Sequence, residues 1–111
     1  MVVHPAELDR VFHALADATR RDILARVMRA EESVSSLARR YPMSFAAVQK
    51  HVAVLEQAAL VTKVRRGREQ LVHGNSTTVD AATRLLEAYA QLWRDRAQRI
   101  DDILTQDGEQ R

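Results

Sequence analysis

Cysteine is absent from this chain of 111 residues, and glycine and aromatic residues are scarce. Without a thiol there is no disulfide framework, no thiolate metal site and no cysteine nucleophile. Three scattered glycines leave no room for a glycine loop that cradles phosphates. No apolar run approaches the ~18–20 residues of a membrane span, and the first fifteen residues lack the apolar stretch of a signal peptide. Few glycines and few aromatic residues favour a mainly helical protein.

The charge is uneven, although the formal net charge is only +2. The stretch from Arg39 to Arg68 holds seven basic residues and one acid, Glu56, so it carries +6 and leaves −4 for the rest. A basic middle between neutral or acidic flanks is typical of a face that binds a polyanion, with a solvated charged surface as the alternative. The length predicts one domain, residues 1–106, followed by a loose tail, residues 107–111.

Apolar residues spaced three and four apart predict two helices at the start of the chain. Pro5 suits the start of the first helix, and Asp17 is a plausible N-cap for the second. Their apolar stripes are Leu8, Val11, Phe12 and Leu15 in the first helix, and Ile23, Leu24, Val27 and Met28 in the second.

Two short helices around Tyr41-Pro42-Met43 have the spacing of a helix-turn-helix. The segment Glu31–Ser33 before them is interpreted as a polar connection. Ser35 is predicted to cap the first short helix and Pro42 to end it. Ser44 is predicted to cap the second short helix, whose predicted buried positions are Val48, Val52, Leu55 and Ala59.

After Leu60 the polar and apolar residues alternate with a period of two, which predicts a β-hairpin with its tip at Arg66-Gly67-Arg68. From Val79 to Leu104 a single helix is predicted, about 37 Å long at 1.5 Å per residue. Its seam follows a heptad pattern through Ala82, Leu86, Tyr89, Trp93, Arg96, Ile100 and Ile103.

A helix of that length exceeds what a small core covers, so we expect it to pair with a second subunit. Packing on the first helix of its own chain is the alternative. The predicted dimer interface comprises Leu8, Phe12, Leu86, Tyr89, Trp93 and Ile100.

Four segments together resemble the ArsR-type (arsenic-repressor) winged-helix transcription factors. Val11–Leu24 is similar to their opening F-x-A-L-A-D-P-T-R-x-x-I-L, with Ala18 in place of the proline. Ser33–Ala38 fits their third helix, and Ser44–Val61 their recognition helix and its exit, with Ala59 replacing the usual glycine. Arg65–Arg68 resembles their wing tip. The resemblance implies a winged helix-turn-helix fold and a homodimeric, cytoplasmic bacterial regulator, usually a repressor of its own operon.

The predicted recognition helix presents Ser44, Phe45, Ala46, Gln49 and Lys50 on its outer side. The start of such a helix fits the major groove. Gln49 can pair with adenine, Lys50 can reach guanine or phosphate, and Ser44 can donate to phosphate. Phe45 or Ala46 can touch a thymine methyl, although a plain surface helix, or a core position for Phe45, is the alternative.

Five arginines complete the predicted DNA-binding residues. Arg65, Arg66 and Arg68 surround the hairpin tip and suit backbone phosphates or a narrow minor groove. Arg39 and Arg40 precede the predicted turn and are a second candidate for phosphate contact.

Metal binding and catalysis find little support. The four histidines include no i, i+4 pair, and the expected last helix contains no histidine. In the metal-sensing members of the family that the chain resembles, either cysteines of the third helix or His/Asp pairs of the last helix bind the ion. The resemblance places Ser33 and Ser35 at the cysteine positions. We therefore expect no metal site, no cofactor and no enzymatic activity.

The resulting hypothesis is a dimeric, sequence-specific DNA-binding regulator that is not metal-responsive. We expect a repressor that occludes a promoter, its own being one candidate, at a pseudo-palindromic operator. The alternative is a winged-helix module that binds another protein and no specific DNA. The basic middle segment favours the first hypothesis, because protein-binding surfaces rarely concentrate arginine without compensating acids.

Overall fold

Five helices and a small sheet follow one another in a computed structural model that describes residues 4–109. Their order is α1 (Pro5–Leu15), α2 (Ala18–Arg29), β1 (Glu32–Ser33), α3 (Val34–Ala38), α4 (Phe45–Gln57), β2 (Val61–Arg66), β3 (Glu69–Gly74) and α5 (Ser76–Glu109). The chain divides into two compact units, of which the first ends at Asp80 and the second begins at Ala81. The mainly helical class and the hairpin agree with the sequence prediction.

Side-chain caps determine where the helices begin. Asp17 accepts from the backbone N–H of Arg20 at 3.0 Å, and Ser44 accepts from that of Ala47 at 3.1 Å, as the sequence predicts. The prediction for α3 is wrong: Ser33 is its N-cap, accepting from Ser36 at 3.1 Å, so Ser35 lies inside the helix.

The structure also ends α3 before the predicted position at Pro42. The helix ends at Ala38, four residues before Pro42, and the backbone N–H of Arg40 closes a turn onto the carbonyl of Leu37 at 3.0 Å. The connection between α3 and α4 therefore has six residues, 39–44. The predicted turn had only three, Tyr41-Pro42-Met43.

The sheet has three antiparallel strands in the order β1-β3-β2. The hairpin is closed by Gly67 and Arg68, and Gly67 has a φ of +64°, as a type II′ turn requires at its first central position. The interpretation of Glu31–Ser33 as a connection is corrected, because Glu32 and Ser33 pair with Val72 and Leu71 of β3. The extra strand joins the helix-turn-helix to the hairpin.

The core of the first unit lies between α1 to α4 and the inner face of the sheet. Its fully buried large side chains are Val11, Ile23, Leu37, Val48, Val52, Leu55, Leu60, Val61 and Val72. At Gly74 the α2 residue Met28 approaches so closely that a Cβ would collide with its Sδ. Met28 itself is partly exposed, unlike the other three residues of its predicted stripe.

The exit from α4 differs from the prediction at one position. Ala58 is buried, whereas Ala59, which the periodicity placed in the core, is exposed and has a φ of +60°. The chain leaves the helix there, so the helical period no longer applies. Asn75 Nδ2 donates to the Ala59 carbonyl at 2.9 Å and holds this turn against the start of α5.

The last helix is longer than the predicted Val79–Leu104. It begins at Ser76, where Asn75 Oδ1 accepts from the backbone N–H of Thr77 at 3.2 Å, and it continues to Glu109. Its 34 residues span about 51 Å at 1.5 Å per residue. Residues 107–109 of the expected tail are helical, and residues 110–111 lie outside the described residues. No helix within residues 4–109 is both long and apolar enough to cross a membrane.

Candidate nucleic-acid interface

The first two turns of α4 separate an inner from an outer side. Val48 is fully buried, while Gln49 and Lys50 are exposed, because successive helical residues point about 100° apart. Ser44, Phe45 and Ala46 are exposed as well, and Phe45 keeps 48% of its surface accessible, so it is not a core residue. All five residues named for this helix thus lie at the surface around its N-terminus.

The tip of the hairpin, where β2 turns into β3, is exposed and cationic. Arg65 and Arg66 end β2, Arg68 lies in the turn, and all three side chains are exposed. Arg39 and Arg40 are exposed after the end of α3. The first unit therefore carries every predicted DNA-binding residue at its surface.

Three of the seven basic residues from Arg39 to Arg68 are held by acids. Arg40 Nε lies 2.5 Å from Glu32 Oε1, and Lys63 Nζ lies 3.3 Å from Glu56 Oε1. Arg66 Nη1 lies 3.5 Å from Glu31 Oε1.

The other four form no ion pair within residues 4–109, and they are Arg39, Lys50, Arg65 and Arg68. Glu31 and Glu32 precede Arg39 in the sequence, outside the stretch that carries +6, so the fold makes this surface less basic than the sequence suggests.

Arg20 anchors α4 to the helices beneath it, a role that the sequence did not reveal. Its Nε donates to the carbonyl of Ala14 at 2.7 Å and its Nη2 to that of His13 at 3.1 Å. Its Nη1 lies 3.4 Å from Nδ1 of His51, the α4 residue that follows Lys50. The guanidinium thereby ties the end of α1 to α4.

Hydrogen bonds keep the acids of this region ionised. The backbone N–H of Arg20 lowers the pKa of Asp17, and the Tyr41 hydroxyl and Arg26 lower that of Asp22. Burial, together with the bond that its hydroxyl donates to Asp22 at 2.5 Å, raises the pKa of Tyr41 to about 12.

Glu32 is a third acid whose pKa is lowered. Burial raises the pKa of Glu32, but the hydrogen bonds from Ser36 and Arg40 outweigh it and hold the pKa below its usual value. The acid that holds Arg40 is therefore charged throughout the physiological range.

The second unit exposes a stripe of large apolar side chains along α5. Leu86, Tyr89, Trp93 and Ile100, four of the residues predicted at a dimer interface, keep 50–65% of their surface accessible. Ile103 and Leu104 continue the stripe. The Arg96 guanidinium, which interrupts the heptad pattern, lies 5.8 Å from the centre of the Trp93 ring. Leu8 and Phe12, the other two predicted interface residues, belong to α1 in the first unit and are half-buried.

Metal ligands do not cluster in the part of the chain that the structure describes. Among residues 4–109 no group of three or more histidine, aspartate or glutamate side chains could hold an ion. Ser33 is engaged as the N-cap of α3, and Ser35 lies inside the helix.

Comparison with known proteins identifies relatives of this chain, although no family model matches it. The HTH-type transcriptional regulator Rv2034 of Mycobacterium tuberculosis is 38% identical over 92 residues, which are 76% of this chain and 86% of the relative.

Two solved structures share its architecture. An ArsR-like transcriptional regulator from Rhodococcus sp. RHA1 is 40% identical, with a TM-score of 0.76, over 88% of this chain and 92% of that one. The crystal structure of an ArsR family transcriptional regulator superposes with a TM-score of 0.77 at 31% identity, over 85% of this chain and 97% of that one.

Proposed function

Because the chain belongs to the ArsR family of transcriptional regulators, as a winged helix-turn-helix DNA-binding member, we propose that it is a dimeric repressor. It binds a pseudo-palindromic operator and occludes a promoter, its own being the first to test. The proposal rests on the surface of the first unit. This surface contains the exposed start of α4 and four cationic side chains that form no ion pair among the described residues: Arg39, Lys50, Arg65 and Arg68.

Base recognition is assigned to the start of α4. Gln49 and Lys50 share the exposed side of the helix with Phe45 and Ala46. A helix enters the major groove with its first turns against the base edges, where glutamine can bind adenine in a bidentate manner. Gln49 is therefore the specificity residue, and Phe45 or Ala46 supplies an apolar contact to a thymine methyl.

Phosphate binding is assigned to the arginines and to Ser44. Arg65, Arg66 and Arg68 contact the backbone or the minor groove from the wing, and Arg39 contacts it beside the recognition helix. These contacts position the protein without reading sequence. Arg40 belongs to the same surface, but its pairing with Glu32 makes it the weakest candidate of the group.

Dimerisation is assigned to α5, with Leu8 and Phe12 of α1 contributing. The helix exposes an apolar stripe of Leu86, Tyr89 and Trp93, which repeats with the heptad period. Burial of this stripe against a second helix stabilises a dimer. A twofold dimer presents two recognition helices, which accounts for an operator of two half-sites about one helical turn apart.

Regulation is proposed not to depend on metal. The donor set of the third helix consists of serine hydroxyls where thiolates would be needed, and zinc favours sulfur and imidazole nitrogen. The candidate signals are a non-metal effector, a partner protein and the concentration of the dimer itself.

A salt titration tests the proposal. Footprinting on the region upstream of its own gene identifies an operator duplex. The affinity of the protein for this duplex is compared with its affinity for a scrambled duplex between about 50 and 200 mM salt, where phosphate contacts make affinity fall steeply. We expect tighter operator binding and a steep salt dependence.

Replacing Arg65, Arg66 and Arg68 with alanine should weaken binding to both duplexes and reduce the log–log slope by roughly 0.9 for each phosphate that is no longer neutralised. Equal affinity for operator and scrambled duplexes would instead favour a protein-binding module.

A further inference from the structure

We propose that Glu31 restrains the wing: its carboxylate competes with DNA phosphate for Arg66 and thereby sets the affinity of the protein for DNA. The inference rests on the proposed function, since it assumes that the wing contacts phosphate. It assigns a role to an acidic residue outside the helix-turn-helix and outside the hairpin.

The restraint follows from the order of the strands. Glu31 precedes β1, which pairs with β3, while Arg66 lies on β2 at the other side of β3. The Arg66 side chain reaches across the sheet and places Nη1 at 3.5 Å from Glu31 Oε1. Its guanidinium is thus directed toward the body of the domain and away from the tip of the hairpin.

The neighbouring arginines show that this arrangement is particular to Arg66. Arg65 and Arg68, on either side of it, have no acid within ion-pair distance among residues 4–109. Arg40 is also paired, but its partner Glu32 has only 13% of its side chain exposed and binds Ser36 as well. That pair is part of the structure around α3.

The Glu31–Arg66 pair is open to competition. The Glu31 and Arg66 side chains are 42% and 68% exposed, so a phosphate can approach the guanidinium and replace the carboxylate as its ionic partner. Glu31 then keeps a neighbour, because Nδ1 of His73 lies 3.2 Å from its other oxygen. The exchange therefore does not leave a carboxylate without a partner.

The test is the variant Glu31→Gln, which keeps the size of the side chain and removes its charge. We expect the affinity for duplex DNA to rise about two- to fivefold, the range of an exposed ion pair. The rise should be the same for operator and scrambled duplexes, because phosphates carry no sequence information. It should shrink at high salt as the ion pair is screened.

A double-mutant cycle separates the restraint from general electrostatics. In an Arg66→Ala background the effect of Glu31→Gln should disappear. The matched control is Asp9→Asn, which removes the same charge from an exposed residue of α1 that forms no ion pair among residues 4–109. The effect of this control should persist in the Arg66→Ala background, because it acts only through the general field.

The outcomes distinguish the restraint from the proposed function. If Glu31→Gln raises affinity equally with and without Arg66, the restraint is overturned while DNA binding stands. A decrease in affinity, with unchanged thermal unfolding, also overturns it. If the wild-type protein shows no salt-dependent binding to any duplex, the proposed function fails and the restraint with it.

Discussion

Replacing Ala59 with glycine should stabilise the protein. Ala59 joins α4 to β2 with a φ of +60°, a left-handed conformation that costs an L-residue about 1–2 kcal/mol. Glycine adopts it without that cost. The family motif that the chain resembles has glycine at this position, so the alanine is a local departure whose consequence can be measured.

The expected gain in the free energy of unfolding is smaller than the conformational cost that Ala59→Gly removes. Glycine also gives the unfolded chain more freedom, which offsets about 0.4–1 kcal/mol. Ala59 is exposed, so the loss of its methyl group removes little buried surface. Its backbone bonds, from its N–H to the Glu56 carbonyl and from Asn75 to its own carbonyl, remain. We expect a net stabilisation of about 0.5–1 kcal/mol, or a rise in Tm of about 2–6 °C.

The assay is urea and thermal unfolding at one protein concentration, since a dimer's apparent stability depends on concentration. Ala58→Gly is the matched control. Ala58 has a φ of −82° and is buried, so glycine there gains no conformational relief and loses a packed methyl. It should destabilise by about 1–2 kcal/mol. Equal destabilisation by both variants would refute the assignment of strain to Ala59.

Four further outcomes are expected. Leu86→Glu should dissociate the dimer in analytical ultracentrifugation, and a wild-type protein that is monomeric at micromolar concentration would contradict the α5 interface. Gln49→Ala should reduce the difference in binding free energy between operator and scrambled duplexes by about 1–3 kcal/mol. The slope of log affinity against log salt should stay unchanged, and fluorescence anisotropy measures both. Folding raises the pKa of Tyr41 from 10.0 to about 12, so the hydroxyl should contribute fully to the free energy of unfolding below pH 10. That contribution should be lost as the pH rises through 12. Unfolding curves should show that pH-dependent loss in the wild type and not in Tyr41→Phe. Zinc, cadmium and arsenite at micromolar concentration should leave operator binding intact, with a chelator control, and stoichiometric, reversible release would refute the proposal.

Local features of the fold could be read from the sequence because they depend on neighbours a few residues apart. The caps Asp17 and Ser44 bind backbone three residues away, and Val48, Val52 and Leu55 are inward because they recur at the helical period. Gly67 marks the hairpin through its own φ. The surface positions around the start of α4 follow from the same periodicity, since the residues between buried ones must point outward.

Features that join distant segments were decided by the tertiary structure. Ser33 and not Ser35 caps α3 because Glu32 and Ser33 pair with β3, almost forty residues later in the chain. Arg66 is held by Glu31 only because that pairing brings β1 to the sheet.

The sequence pattern contains the charges but not the distances between them, and the energy of an ion pair depends on distance. The sequence therefore determined that this face is basic, and the packing of β1 against β3 decided which of its arginines are free to bind phosphate.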